Sequence, residues 1–174
     1  AQMSRDAALS AIFAAPLLSP PGEKYNYSNA GFSLLAILIE RISGQPYDSF
    51  MEERIYHPIG MHHTGYSARA FDPALVAHSY TPPVDHGTPA ERLRRAGGPG
   101  WNLKGNGGVL TTVDDMYLYD RALGAGEPIS PAIQAKQFAE QFRRSPTMAN
   151  GYDWEIESAG DDGIFLHRDG DGPS

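Results

Sequence analysis

The most regular hydrophobic pattern of the chain lies between Asn29 and Ser43, where apolar residues recur at the spacing of an α-helix. The polar or charged side chains that interrupt this apolar surface are Ser33, Glu40 and Arg41. The pattern therefore predicts a helix that is buried on most sides. Gly44 supplies its C-terminal stop, and Pro46 fits the first turn of a second helix that runs to about Ile55.

Capping residues and apolar spacing predict three further helices. Thr112 is expected to be the N-cap of one of them, because an acidic residue, Asp115, follows three positions later. The Ser130-Pro131 pair is typical of another helix start. The predicted ranges are 2–13, 113–123 with Gly124 as its stop, and 131–142.

The C-terminal part changes to the period-two pattern of a β-strand. Apolar and polar residues alternate strictly from Tyr152 to Glu157. A glycine-containing turn follows at 159–163, and residues 164–168 are predicted to form the second strand. We expect a β-hairpin with one solvent-exposed face. If the sheet is cut short at Ser174, its hydrophobic edge is left unpaired, which would favour a homodimer or a complementing fragment.

Residues 62–104 lack a sustained period and are expected to be mostly irregular, with short strands at 64–66 and 77–80. Irregular stretches this long inside a compact domain are commonly functional or disordered. The whole pattern predicts an α+β fold. We interpret residues 1–174 as a single partial domain with a mostly helical region, 1–150, and a hairpin of the sheet, 151–174.

Composition excludes several classes of function. The 174 residues carry a net charge of −7, which argues against a nucleic-acid partner. The chain has no cysteine, so disulfides, thiolate catalysis and thiolate zinc sites are excluded within it. The longest apolar run, Leu34 to Ile39, is too short to span a bilayer. None of these features fixes the cellular compartment.

Tyr27-Ser28-Asn29 stands at the start of the long apolar helix, where unpaired backbone N–H groups favour anions and developing negative charge. A Pro-Gly turn precedes it, and later segments occur in a fixed order: Ser43-Gly44-Gln45-Pro46, Ile59-Gly60-Met61, and Gly107-Gly108 running into Thr111-Thr112 and Asp115. This order resembles the serine β-lactamase and penicillin-binding-protein superfamily, in particular its class C-like esterases, D-aminopeptidases and D,D-carboxypeptidases.

The resemblance implies a β-lactamase/transpeptidase-like fold, with a helical subdomain beside an antiparallel sheet flanked by helices. It also implies acyl-enzyme chemistry without a metal or cofactor, in which Tyr27 shuttles protons and Asn29 orients a lysine and the substrate amide. A phenol, with a pKa near ~10, acts as a base at neutral pH only beside cations. From the sequence alone, Tyr27 could instead pack in the core and Asn29 could cap the helix.

The nucleophilic motif of that superfamily, Ser-x-x-Lys, does not occur in the chain, because none of Lys24, Lys104 and Lys136 has a serine three residues before it. The resemblance therefore implies a central portion of a serine hydrolase whose serine and lysine lie outside these residues, so that this chain alone is inactive. The alternative is a catalytically silent module of the same fold that binds a peptide or a peptidoglycan fragment.

The C-terminal segment offers candidate substrate-binding residues. The resemblance places Arg168-Asp169-Gly170 on a cationic triplet that lines the nucleophile, and a second alignment places His167 in the cationic slot. Arginine can bind a carboxylate through two N–H groups, whereas Asp169 would repel an anion. An uncharged ester or amide is therefore expected in preference to a penicillin-like carboxylate. Trp154 is a candidate for lining the cleft or, as the apolar member of a strand, for packing in the core.

Other polar clusters favour structural roles. His62 and His63 are adjacent and cannot share one helical or strand face, and no carboxylate pattern completes a set with His57, so no metal site is expected. Asp114 and Asp115 fall in the first turn of a helix, where the helix dipole favours negative charge. The glycines at 105–108 lack the Lys-Ser/Thr pair of a phosphate-binding loop. The expected ligand is a small ester, amide or lactam, and the residues do not distinguish among the three.

Overall fold

The computed structural model describes residues 3–66, 71–95, 100–158, 160 and 163–167. Six α-helices occur in this part of the chain, and α3 continues through a π-helical turn, Glu52–Tyr56, and a 3-10 turn, His57–Ile59. A further 3-10 turn spans Pro73–Leu75. The helices are α1 (Arg5–Ala14), α2 (Asn29–Ser43), α3 (Tyr47–Met51), α4 (Pro89–Arg95), α5 (Val113–Ala125) and α6 (Pro131–Gln137).

The strands form two antiparallel sheets, which confirms the α+β class. A two-stranded hairpin pairs β1 (Tyr80–Thr81) with β2 (Val84–Asp85). The larger sheet has the order β3-β4-β5-β6, and its strands are β3 (Phe142–Arg143), β4 (Met148–Asn150), β5 (Glu155–Ser158) and β6 (Ile164–His167). The predicted C-terminal hairpin is β5–β6, in which Ile156 lies opposite Leu166.

Helix α2 has the bounds that its apolar pattern predicts, but two expectations about it were wrong. Its N-cap is Ser28, whose hydroxyl accepts from the Gly31 N–H at 3.0 Å, so Asn29 is the first helical residue and not the cap. The helix is also not buried on most sides. Its apolar side chains include exposed ones, Leu35, Leu38 and Ile42 at 53%, 44% and 85%.

Other boundaries differ from the predictions for local reasons. Helix α1 begins at Arg5 because Ser4 caps it through the Ala7 N–H. Helix α5 passes Gly124 and ends at Gly126, whose φ of 77° is left-handed. Helix α6 stops at Gln137, since the carbonyl of Gln137 accepts the Tyr152 N–H and the chain then enters β3.

The region expected to be irregular contains more structure than its sequence indicates. Helix α4 and the hairpin β1–β2 both lie within 62–104. The predicted strand at 64–66 is reduced to a single antiparallel bridge between Gly65 and Leu110. The strand predicted at 77–80 begins only at Tyr80.

The core next to α2 is built from Ala36, Tyr47 and Tyr66. Tyr47 and Tyr66 have ring centroids 5.9 Å apart, and burial raises the pKa of both phenols. The Tyr66 hydroxyl accepts the Gly105 N–H at 3.0 Å. A Cβ at Gly105 would lie 2.6 Å from the Phe32 carbonyl oxygen, so the backbone of residue 105 lies directly against α2.

Asp115 joins the start of α5 to the segment after α3. Its carboxylate accepts the His63 N–H at 2.8 Å and the Thr64 hydroxyl at 2.7 Å, and the side chain is 4% exposed. Its own N–H donates to the Thr112 hydroxyl, which confirms Thr112 as the N-cap. The position of Asp115 predicts a favourable interaction with the helix dipole. The structure shows that its carboxylate also accepts two hydrogen bonds from the segment after α3.

Replacing Gly105 by alanine is expected to destabilise the complete protein by about 3 kcal/mol, because φ is +84° and the new methyl group would overlap α2. Gly107→Ala is the matched control: no atom lies within 4 Å of its Cβ position, and the change should stay within about 0.5 kcal/mol. Urea-induced unfolding measures both. Equal effects of the two substitutions would contradict the close approach.

Asp115→Ala is expected to cost on the order of 3 kcal/mol, because the His63 N–H and the Thr64 hydroxyl lose their acceptor. Asp114→Ala changes the exposed neighbour in the same helical turn and should cost about 0.5 kcal/mol or less. Thermal unfolding of the two variants tests the difference. A cost at Asp115 no larger than that at Asp114 would show that the buried bridge is unimportant.

Candidate active site

Tyr27 and Asn29 are brought together at the mouth of α2. The Tyr27 hydroxyl donates to Asn29 Oδ1 at 2.9 Å, and the tyrosine is 57% exposed. Ser28, between them, is extended and caps the helix. The cap turns the chain into α2, and the phenol and the carboxamide meet at its N-terminal end. Within the described chain, the Tyr27 side chain is therefore exposed and does not pack in the core.

The glycine-containing segment after α4 holds this end of α2 in place. Asn106 Nδ2 lies 3.2 Å from the Asn29 carbonyl oxygen, 3.0 Å from Ser33 Oγ and 3.0 Å from the Asn102 carbonyl oxygen, so three acceptors share its two protons. Gly105 packs on the next turn of the helix. Asn106 carries no recognisable signal in the sequence beyond its place among glycines.

A cavity of about 430 Å³ opens beside Tyr27, between the beginning of α2 and the β4–β5 turn. Aromatic and aliphatic side chains supply much of its wall, and polar residues supply the rest. The lining residues are Tyr25, Asn26, Tyr27, Ser28, Gly31, Phe32, Leu35, Asn150, Gly151, Tyr152 and Asp153. The volume is in the range of pockets that take small organic ligands.

The wall opposite Tyr27 contains a backbone outlier. Asp153 has φ of +69°, a left-handed conformation that a non-glycine residue adopts at some energetic cost. Burial raises the pKa of Tyr119, and the negative charge of Asp153 raises it further, so the carboxylate also acts beyond the cavity. Sequence reasoning missed Tyr152 and Asp153 as site residues, because a turn residue's φ has no distinctive pattern unless it is glycine.

Gly151, next to these residues, allows the turn to approach α6. A Cβ at this position would lie 2.4 Å from the Gln137 carbonyl oxygen. The same carbonyl accepts the Tyr152 N–H at 2.9 Å. The far wall of the cavity is thereby attached to the end of α6.

The predicted C-terminal residues are only partly visible. Arg168, Asp169 and Gly170 lie outside the described residues, so their assignment stays a prediction. His167 ends β6, and its Nε2 lies 3.7 Å from a Glu157 carboxylate oxygen. Trp154 is not among the cavity-lining residues of the described chain. Its ring packs edge-on against Phe138 at 5.4 Å between centroids, which is the packed alternative.

The histidines after α3 lie at the surface. The rings of His57 and His62 are 5.5 Å apart, and His63 is exposed beside them. Within the part of the chain that the structure describes, no group of three or more histidine or acidic side chains could hold a metal ion. In the same part, none of the helices combines the length and the apolar character needed to cross a bilayer.

The one partly buried lysine is committed elsewhere. Lys104 Nζ pairs with Asp48 at 2.8 Å and lies 5.3 Å from the centroid of the Trp101 ring. Lys104 therefore contacts residues next to the core beside α2. The lysine that the resemblance places next to Tyr27 is therefore not Lys104.

Comparison with known proteins now identifies the family. The family model described as Beta-lactamase matches residues 1–172, so the chain belongs to this family. Penicillin-binding protein 4* of Bacillus subtilis (strain 168) is 27% identical over 161 residues, which cover 88% of this chain and 36% of that protein. The sequence resemblance to the β-lactamase and penicillin-binding-protein superfamily is confirmed.

Solved structures confirm the β-lactamase/transpeptidase-like fold. A penicillin-binding protein from Bacillus halodurans superposes with a TM-score of 0.74 at 26% identity, covering 92% of this chain and 48% of that one. The D-amino acid amidase of Ochrobactrum anthropi SV3 has a TM-score of 0.71 at 19% identity, covering 95% and 48%. The chain thus spans half or less of the length of these relatives.

Proposed function

We propose that the complete protein containing this chain is a serine hydrolase that forms an acyl-enzyme with an ester, a D-amino-acid amide or a lactam. The observation that carries the proposal is the Tyr27–Asn29 pair, joined at 2.9 Å at the mouth of α2 and facing a cavity. Family membership supports the reaction class. The nucleophilic serine and its lysine come from sequence outside the 174 residues.

Tyr27 handles protons in this mechanism. Its phenol lies at the surface of the cavity, and in the neutral form its O–H group donates to Asn29 Oδ1. A lysine beside it would favour the phenolate, which could then take the proton of the attacking serine and return it to the leaving group. The carboxamide of Asn29 orients that lysine and the amide of the substrate.

The cavity walls support an uncharged substrate. Phe32, Leu35 and the ring of Tyr25 line the α2 side, and Asp153 adds a carboxylate on the other. An apolar wall does not repay the free energy of desolvating an anionic group. This agrees with the preference expected from Asp169. A neutral ester or amide is favoured over a penicillin-like carboxylate.

A silent binding module of the same fold is the second candidate. It is favoured by one feature of the chain itself: the cavity is present, whereas Ser-x-x-Lys is not. Such a module would hold a peptide or a peptidoglycan fragment between α2 and the sheet without reacting with it.

In a third arrangement, a separate fragment supplies the serine. This fragment would be detected as a second polypeptide that copurifies with the chain.

A fluorophosphonate probe distinguishes these candidates. We expect intact-mass spectrometry to show one covalent label on the complete protein and none on the 174-residue chain, because only the former contains the nucleophile. Hydrolysis of a neutral ester should accompany the labelling. A complete protein that takes no label and hydrolyses no ester or amide would leave the binding module as the function.

Tyr27→Phe in the complete protein is expected to lower kcat roughly 10²- to 10⁴-fold, since the proton shuttle is lost while the ring remains. Tyr117→Phe is the matched control, because Tyr117 is an exposed tyrosine, 62% accessible, on α5. Initial rates with a chromogenic ester measure both. Comparable rates for the two variants would contradict the role of Tyr27.

A further inference from the structure

The segment before Tyr27 contacts the sheet through the side chain of Tyr25. The Tyr25 ring stacks on Phe142 of β3, with centroids 6.1 Å apart and planes inclined by 29°. The guanidinium carbon of Arg144 lies 5.2 Å from the centroid of the same ring. Tyr25 is half-buried, and its ring contacts the sheet through Phe142 and Arg144.

Arg144 is itself anchored. Its Nη2 donates to a carboxylate oxygen of Glu155 on β5 at 2.6 Å, and the two side chains are 30% and 16% exposed. The guanidinium thus lies between a carboxylate of the sheet and an aromatic ring of the segment before α2. Guanidinium suits this position because it can stack on a ring while its N–H groups bond in the plane.

This contact bridges the two sides of the cavity. Residues from Tyr25 to Leu35 line one side, and Asn150 to Asp153 line the other, just before Glu155. Two residues of extended chain reach at most about 7 Å, so a shift of Tyr25 is passed on to Tyr27. Ser28 and Asn106 bond the first turn of α2.

We propose that Arg144 is a positioning residue, which acts through Tyr25 to set the distance between Tyr27 and the sheet side of the cavity. The inference rests on the proposed function for the role of Tyr27. Catalytic groups tolerate little displacement, and a shift of about 1 Å can cost about 10²-fold in rate. Loss of the Arg144 contact therefore lowers turnover more than it weakens substrate binding.

The test uses five variants of the complete protein with a chromogenic neutral ester, and kcat is normalised to the active sites titrated by the fluorophosphonate. Arg144→Met and Tyr25→Leu are expected to lower kcat roughly 10- to 100-fold with a smaller change in KM. Tyr25→Phe keeps the ring that stacks on Arg144, so its kcat should fall less than that of Tyr25→Leu. Arg143→Met is the matched control, because Arg143 bonds Glu140 and the Pro146 carbonyl.

Arg144→Lys separates positioning from simple loss of charge. Lysine keeps the positive charge but cannot stack on Tyr25 and bond Glu155 in the same plane, so its kcat should lie between those of the parent protein and Arg144→Met. A merely structural role would lower the melting temperature and leave kcat per titrated site unchanged. That result, or an equal kcat loss in Arg143→Met, would overturn the proposal.

Hydrogen exchange of the complete protein tests the same contact without relying on activity. Backbone amides of residues 25–29 are expected to exchange at least about tenfold faster in Arg144→Met than in Arg143→Met, because only the first loses the fastening of Tyr25. Unchanged exchange would overturn the proposal even if the enzyme is active. If the parent protein hydrolyses no substrate, the proposed function fails and exchange alone decides the positioning role.

Discussion

The contact between Gly105 and the middle of α2 is the constraint on which the rest of the described structure depends. Backbone can approach a helix this closely only where there is no side chain, and a Cβ at residue 105 would lie 2.6 Å from the Phe32 carbonyl oxygen and 2.7 Å from Ala36 Cβ. The same approach places the Gly105 N–H on Tyr66 and Asn106 beside Asn29. Core packing and the geometry of the helix mouth are therefore set by one contact.

The cavity lies where two separately built parts of the chain meet. The α2 side is held by the Ser28 cap and by Asn106, and the sheet side is held by the link from Tyr152 to the end of α6. Tyr25, Phe142 and Arg144 join the two sides. At this junction, the phenol at the N-terminal end of α2 and the residues of the β4–β5 turn line the same cavity. This arrangement suits a fold whose relatives include penicillin-binding proteins and an amidase.

Several apolar side chains of α2 and β6 are exposed in this chain. Leu35, Leu38 and Ile42 of α2 and Ile164, Phe165 of β6 lie at the surface, although their patterns are those of buried elements. The chain spans 36% of penicillin-binding protein 4* and 48% of each structural relative described. The apolar period of α2 predicted burial on most sides, and the exposure of Leu35, Leu38 and Ile42 shows that the period alone does not determine which side chains are covered.

Local sequence determined the features that depend on neighbouring residues. The bounds of α2, the Thr112 cap and the β5–β6 hairpin all follow from short-range spacing, because side-chain period and capping chemistry act within one or two turns. The Tyr27-Ser28-Asn29 motif likewise predicted the candidate site, and the catalytic role of its residues stays a proposal. Only the tertiary structure showed where α6 ends, that the Asp115 carboxylate accepts buried hydrogen bonds, that Asp153 has a left-handed backbone and that the Arg144 guanidinium stacks on Tyr25. Each of these depends on groups far apart in the chain, whose proximity no local pattern encodes.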